Sequence, residues 1–497
     1  MKTVLGFLEE QITVRPDRPM LTDERETLTF ADIDARSDAI GSALLRRGAE
    51  REPVLVFMKR SGAMIAAFFA VWKAGCFYVP VDAEMGESRI RSILARVKPR
   101  FAIIDESANA LLSACGFAGE MLDAKAAAQE PADGPALAAA QRKTLDADPA
   151  YLVFTSGSTG APKGVVGVHR AVLDYAEQIT KTLRAAESDV FGMQAPLYVD
   201  ACLKEILSAL KCGSSVVLVP KRLFTSPVAL VEVLNAHRVT ILCWVVPALT
   251  LISALRTFDT VVPQYLKTVA FGSEVMPPKQ LRLWQAHVPA RYLNLYGPTE
   301  CTGMSCFYEI DRTFSDGERI PIGHAFDNTE IFLLDENDRR AEEGEICIRG
   351  TSVSFGYYRD PERTKKAFVP NPLNPDYPET VYRTGDLGRI NERGELEFLG
   401  RKDDQIKHMG HRIELGELEA AARTVDGVNA ACAVFDRERS LLGLVYTGTV
   451  EKAALLEALR GKLPEYLLPK RTACVERIPL TENGKTDRKA ATLLLYK

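Results

Sequence analysis

Between residues 30 and 295 the chain alternates between two hydrophobic periods, and this alternation constrains the fold more than any other feature. Segments with apolar residues every three to four positions give way to short continuous apolar runs, repeatedly. The helical period covers 30–47, where Ile33, Ile40, Leu44 and Leu45 share a face and Gly48 stops the run, then 61–74 and 87–97. Between these, 54–58, 77–81 and 101–104 read as buried strands. Such alternation implies parallel strands with crossover helices. The texture resumes with strands at 190–194, 215–219, 241–246, 266–271 and 292–295, and helices at 201–210, 227–237, 248–256 and 278–286. Separating the two stretches, 124–140 is Ala-rich with two prolines and a glycine, and reads as a loosely structured connector.

From about 318 to 400 the pattern changes to short strands broken by turns at 335–338, 343–344 and 393–394. After the charge run Arg401, Lys402, Asp403 and Asp404, it becomes α+β, with helices at 415–424 and 452–463 and strands at 430–435, 441–446 and 472–478. A polar loop, 481–488, follows. The expected fold class is α/β. A large N-terminal domain, 1–402, contains two doubly wound α/β subdomains and a small β-rich lobe; a small mobile α+β domain, 403–497, follows. The 497 residues suit several lobes, and 46% apolar content supplies a large core. A net charge of −4 gives no basic field for nucleic acid. The longest apolar run, 63–72, is too short to span a bilayer, so no membrane insertion is expected. Ten scattered cysteines form no C-x-x-C pair and mostly lie in apolar runs as buried thiols. With no basic-then-apolar leader pattern, these features point to a cytoplasmic, reducing compartment.

The stretch 151–164, YLVFTSGSTGAPKG, begins as a buried strand and breaks into Thr155, Ser156, Gly157, Ser158, Thr159 and Gly160, then Pro162, Lys163 and Gly164. Glycines let backbone N–H groups converge, hydroxyls add donors, and Lys163 adds a full charge, which together suit a polyphosphate. The order is not that of a P-loop, since Gly164 follows the lysine and no helix starts there. Ligands of such sheets bind beyond the carboxyl ends of the strands. There lie this loop (154–164), Asp200, Gly272 and the run Tyr296, Gly297, Pro298, Thr299, Glu300.

Read together, these segments resemble the adenylate-forming superfamily of acyl-CoA synthetases, luciferases and nonribosomal peptide synthetase adenylation domains. FTSGSTGAPKG resembles its phosphate loop, NLYGPTE (294–300) its adenine and metal segment, and YRTGDL (382–387) its ribose segment. LGRKDDQIKHMGHRIELGELE (399–419) resembles its hinge and swivelling loop, and TENGKTDRK (481–489) its catalytic-lysine loop. The order and spacing fit the amino-acid-activating branch. The resemblance implies ATP and Mg²⁺ as cofactors and two half-reactions: adenylation of a carboxylate with release of pyrophosphate, then transfer to the phosphopantetheine thiol of a separate carrier protein.

It also implies residue roles. Lys163 and the loop residues hold the β- and γ-phosphates, Tyr296 stacks on adenine, Asn294 reads its edge, and Gly297 and Thr299 belong to the same segment. Glu300 is the Mg²⁺ ligand, as Mg²⁺ takes one or two carboxylates plus substrate phosphates. Asp386 accepts from the ribose hydroxyls with Arg401 beside it, Lys485 bridges the substrate carboxylate and the α-phosphate, and Asp403 is the hinge. His408 and His411 are structural. Asp200 binds the substrate α-ammonium, caps the helix that follows it, or does both.

By position, Ala201, Lys204, Trp244, Val269, Phe271, Gly272, Leu295, Gly303 and Met304 line the amino-acid pocket. The bulk of Trp, Phe, Leu and Met favours a small side chain. Lys204, costly if buried unpaired, points instead to an aspartate-like substrate, unless it pairs with Glu205 or reaches solvent. FGSEVMP (271–277) resembles D-alanine–carrier protein ligases. A CoA ligase of the same fold and a non-catalytic relative are the competing readings.

Overall fold

The computed structural model describes residues 1–106, 108–157, 162–436, 439–480 and 486–496. Two large sheets carry the N-terminal region. In the first, the spatial order is Glu120–Asp123, Phe101–Ile104, Pro53–Phe57, Phe77–Val81, Pro149–Thr155 and Lys163–Val168. All its pairings are parallel except the last. The second sheet has a parallel centre, Ser215–Leu218, Val190–Met193, Ile241–Val245, Thr268–Gly272 and Arg291–Tyr296, with antiparallel strands at its edges. Helices cross over between strands, as the alternation requires. Phe30–Arg46 starts at a Thr29–Asp32 capping box and Gly62–Lys73 at Ser61, whose hydroxyl accepts from the Met64 N–H.

The two subdomains are not consecutive in sequence. Strands Pro19–Thr22 and Thr27–Thr29 add to the edge of the second sheet, far ahead of its other members. The 124–140 segment is no loose connector: it forms helices Ala124–Ala127 and Gly134–Lys143. The apparent breakers are the start signal of the second helix, because Asp133 caps it and Pro135 occupies its first turn. Leu137 is buried there, which contributes about 1.5–3 kcal/mol.

The β-rich lobe pairs Thr329–Leu334, Glu343–Gly350, Thr380–Ile390, Phe368–Pro370 and Leu396–Arg401, with one short helix, Pro361–Ala367. After Arg401 comes a hairpin, Gln405–His408 with His411–Glu414. The small C-terminal domain follows as a three-stranded sheet, Val428–Asp436, Leu441–Gly448 and Arg471–Cys474, with helices Leu415–Arg423, Lys452–Arg460 and Arg488–Leu494. The last helix shortens the expected 481–488 loop: Asp487 caps it. Among the described residues no helix is long and apolar enough to cross a membrane.

Candidate active site

Within the 151–164 stretch, strand Pro149–Thr155 pairs antiparallel with strand Lys163–Val168, with Thr155 opposite Lys163. Ser158, Thr159, Gly160 and the catalytic-loop Lys485 lie outside the described residues. Thr155 Oγ1 is buried without a partner, and the Ser156 hydroxyl donates to the Arg412 carbonyl at 2.6 Å. The segment around Tyr357 runs beside strand Lys163–Val168 through the Tyr358 N–H to the Gly164 carbonyl, which sets the Tyr357 ring over the lysine.

At the centre is Glu300, 0% exposed. Its carboxylate accepts from the Tyr357 hydroxyl at 2.8 Å and from Arg412 Nη1 at 2.9 and 3.1 Å, and Lys163 Nζ lies 3.2 Å away. Burial pushes its pKa up, but Arg412 and then Lys163 overcome burial and hold it well below the usual carboxylate range. Lys163 is pulled down by burial and by Arg412. The group is thus an ionised carboxylate among cations, in a place where anionic phosphates would find ready partners.

Asp386 is held by the Tyr296 hydroxyl, at 2.5 Å, and by Arg401, which also pairs with Asp403. Tyr296 ends strand Arg291–Tyr296, and Lys407 of the hairpin lies 5.8 Å from its ring centre. Asn294 donates to the Pro321 carbonyl at 2.8 Å, which leaves its oxygen and one N–H for a base edge. Asp200 does not cap a helix. Its carboxylate accepts from the Thr299 hydroxyl at 2.9 Å, and burial raises its pKa against Thr299 and Lys204.

A cavity of about 40 Å³, room for roughly three water-sized groups, has Val199 and Ala201 on its wall but not Asp200 itself. Ala201, Lys204, Trp244, Phe271, Gly272, Leu295 and Met304 are on its wall. Val269 and Gly303 are not. Val269 lies deeper in the strand, packed in the core with Trp244 and Phe271. Gly303, at φ +87°, is where Tyr175 presses closest: a Cβ there would lie 2.8 Å from its ring. Gly297 is equally confined, since its Cβ would meet the Gly303 carbonyl at 2.3 Å. The wall also includes Gln194, Cys243, Val245 and, from the hairpin, Gly410. Lys204 is buried and donates to the Ala201 carbonyl at 2.6 Å. Among the described residues no carboxylate lies within ion-pair distance of it, Glu205 included.

The model of the AMP-binding enzyme family matches residues 8–358. The chain belongs to the AMP-binding enzyme family. Such enzymes form adenylates from ATP. Over 98% of its length this AMP-binding enzyme is 30% identical to tyrocidine synthase 1 of Brevibacillus parabrevis and 30% identical to bacitracin synthase 1 of Bacillus licheniformis. It spans 45% of the first relative and 9% of the second. A solved structure described as an NRPS protein containing adenylation and PCP domains is similar at a TM-score of 0.84 and 25% identity, covering 100% of this chain and 98% of that one.

Sequence reasoning missed Tyr357, the part played by Arg412, and Glu274, which accepts from the Gly410 N–H at 2.7 Å. Arg412 sat inside a recognised motif but carried no role. Tyr357 had no signal beyond an aromatic among turn residues. The two histidines are neutral packing groups here: His411 stacks on Tyr466 at 3.7 Å and burial lowers its pKa to about 4, while His408 meets the edge of Phe435.

Proposed function

We propose that this AMP-binding enzyme activates a small α-amino acid and passes it to the phosphopantetheine thiol of a separate carrier protein. The observation that carries the amino acid is Asp200, a buried carboxylate that accepts from the Thr299 hydroxyl and stands in sequence between Val199 and Ala201, two wall residues of a cavity too small for a large side chain. A substrate α-ammonium would complete its pairing. The relation to an NRPS protein with adenylation and PCP domains supports the carrier.

In the first step a substrate carboxylate oxygen attacks the α-phosphorus, and the bond to the β-phosphate oxygen breaks, releasing pyrophosphate. In the second a thiolate attacks the acyl carbon and AMP leaves, the thiol proton having gone to solvent. Lys163 and the loop hydroxyls orient the phosphates, Asp386 holds the ribose, Tyr296 stacks on adenine, and Lys485 steadies the reacting oxygens. Phosphoryl transfer needs this positioning and neutralisation more than covalent help. Glu300 suits Mg²⁺ carried in by the nucleotide: among the described residues no cluster of three ligating side chains exists, and a nucleotide-borne Mg²⁺ needs only a carboxylate and phosphates. Held there, Mg²⁺ would neutralise phosphate charge. The division at 402/403, with Asp403 as hinge, is part of the same proposal.

Lys204 favours a second reading, a short side chain bearing a carboxylate. A buried ammonium on the cavity wall, with one hydrogen bond made, has donors to spare. ATP–pyrophosphate exchange across all proteinogenic amino acids and D-alanine decides. Small residues or aspartate should support exchange, and Lys204→Met should abolish the acidic preference where there is one. Exchange confined to large hydrophobic acids would overturn the pocket reading. Comparing CoA with a holo-carrier as acceptor separates the ligase types.

A further inference from the structure

Arg60 follows strand Pro53–Phe57 of the sheet that carries the phosphate loop, yet its guanidinium works at the other sheet. Nε donates to the Ala195 carbonyl at 3.2 Å, Nη1 to the Val219 carbonyl at 2.9 Å and Nη2 to the Met193 carbonyl at 2.7 Å. Met193 ends strand Val190–Met193, and Val219 follows the neighbouring parallel strand Ser215–Leu218. A ladder stops at such ends, and the buried carbonyls left over need other donors. All three of these residues are buried. A guanidinium presents its N–H groups in a fixed planar fork and can meet three carbonyls at once, where a lysine has one donor atom. Burial lowers the Arg60 pKa to about 10, with Glu205 opposing most, so the fork stays charged at neutral pH.

The chain on either side of Arg60 is fixed as well. The Lys59 N–H donates to Asp105 at 2.7 Å, the Gly62 N–H to Asp23 at 2.9 Å, and Ser61 caps helix Gly62–Lys73. What this arm holds is a cavity wall. Gln194, Ala195 and Pro196 line the cavity, and Val199 and Ala201 follow on either side of Asp200. The Gln194 side chain adds only a long contact, accepting from the Val245 N–H at 3.5 Å. We propose that Arg60 is a positioning residue for the amino-acid pocket: from the phosphate-loop sheet it fixes the 193–196 wall, and so limits the size of side chain the cavity admits. This rests on the reading of that cavity as the amino-acid site. Without the fork the Ala195 and Val219 carbonyls lose a donor, and the wall relaxes away from the cavity. A small substrate then loses contacts, while a larger one gains room.

ATP–pyrophosphate exchange with alanine, aspartate and leucine reads this. The discrimination is kcat/KM for the better of alanine and aspartate, divided by that for leucine. One methylene in a pocket is worth roughly 10- to 200-fold, so Arg60→Met, which keeps the bulk of the stem and removes every donor, should lower the discrimination at least about tenfold. The change should come mainly from a higher KM for the small amino acid, while the Kd for ATP, measured without amino acid, stays within about twofold. Arg60→Lys should recover part of the discrimination. A merely structural role would lower the folded fraction, and with it kcat for every substrate alike, leaving KM and discrimination unmoved. That result, or a Kd for ATP that weakens as much as the amino-acid KM, overturns the proposal. Should Arg60→Met not fold, Arg60→Gln takes its place and must move the discrimination the same way; an unmoved value counts against the proposal. Met304→Ala, which enlarges the cavity at another wall residue, separates the two layers. If it leaves the discrimination unmoved, the cavity is not the amino-acid site and the underlying reading fails. If it lowers the discrimination while the Arg60 variants do not, the positioning role alone fails.

Discussion

Glu205 shows how a single side chain can shape stability behind a binding cavity. It is 0% exposed, and neither carboxylate oxygen has a hydrogen-bond partner. Burial is the largest influence on it and raises its pKa from 4.5 to about 7, with Lys204 and Arg60 opposing. Arg60 is itself spent on the carbonyls of Met193, Ala195 and Val219. Between about pH 4.5 and 7 the folded state therefore keeps a proton that the unfolded state has lost. Stability should fall as pH rises through this window, by up to about 1.4 kcal/mol per pH unit. Glu205→Gln mimics the protonated form and should flatten that slope, gaining stability at pH 8 relative to pH 5. Urea unfolding of both proteins at the two pH values checks this; parallel slopes would count against it. None of this was legible in the sequence, where Glu205 is an ordinary glutamate in a helical run. The helix Leu203–Cys212 is buried over most of its surface, and only the packing of the second sheet reveals that.

At the scale of elements, the sequence showed most of the strands and helices that frame the site, because a 3.6-residue period and a short continuous apolar run are local properties. It failed where a local signal pointed the wrong way. Asp133, Gly134 and Pro135 look like a break but start a helix. It also failed where partners are distant, as with the edge strands Pro19–Thr22 and Thr27–Thr29. The hairpin 405–414 was visible through family resemblance as a swivelling loop, without its contacts. Gly410 explains how closely it docks. It has φ +79°, and a Cβ would lie 2.8 Å from Val245 Cγ1. Gly410→Ala combines left-handed strain with overpacking, each costing about 1–3 kcal/mol. The cost falls on the docked hairpin. The ratio of carrier aminoacylation to pyrophosphate exchange should therefore drop at least about tenfold, since 1.4 kcal/mol corresponds to a factor of ten. An unchanged ratio would show that docking plays no part in transfer.

For the whole molecule, the question is how one small domain would serve the two proposed reactions. The described arrangement brings Arg412 to Glu300, and a second, fully separate contact fixes it: Arg89 of helix Glu87–Val97 pairs with Glu417 of helix Leu415–Arg423 at 2.9 Å, both buried. By the proposed division at 402/403, Lys485, assigned to the first reaction, falls in the same C-terminal segment as Arg412, and nearby in sequence Arg488 is tied to Asp404 and Glu419. On the proposed division, Arg412 serves the described arrangement and Lys485 the other. Removing one member of a buried ion pair costs about 3–5 kcal/mol. Here the cost can be escaped by leaving the docked arrangement. Glu417→Gln should therefore shift the population towards other orientations. Its pyrophosphate exchange should hold or rise relative to carrier aminoacylation, and trypsin should cut after the half-exposed Lys402 faster than in the unaltered protein. Lys485→Ala should move the ratio the opposite way, because it removes the group assigned to adenylation and leaves the Arg89–Glu417 contact intact. Transfer is then followed from chemically prepared aminoacyl-adenylate, bypassing the first step. Two substitutions far apart in sequence should thus displace one ratio in opposite directions; displacement in the same direction would mean that the small domain does not alternate between the two reactions.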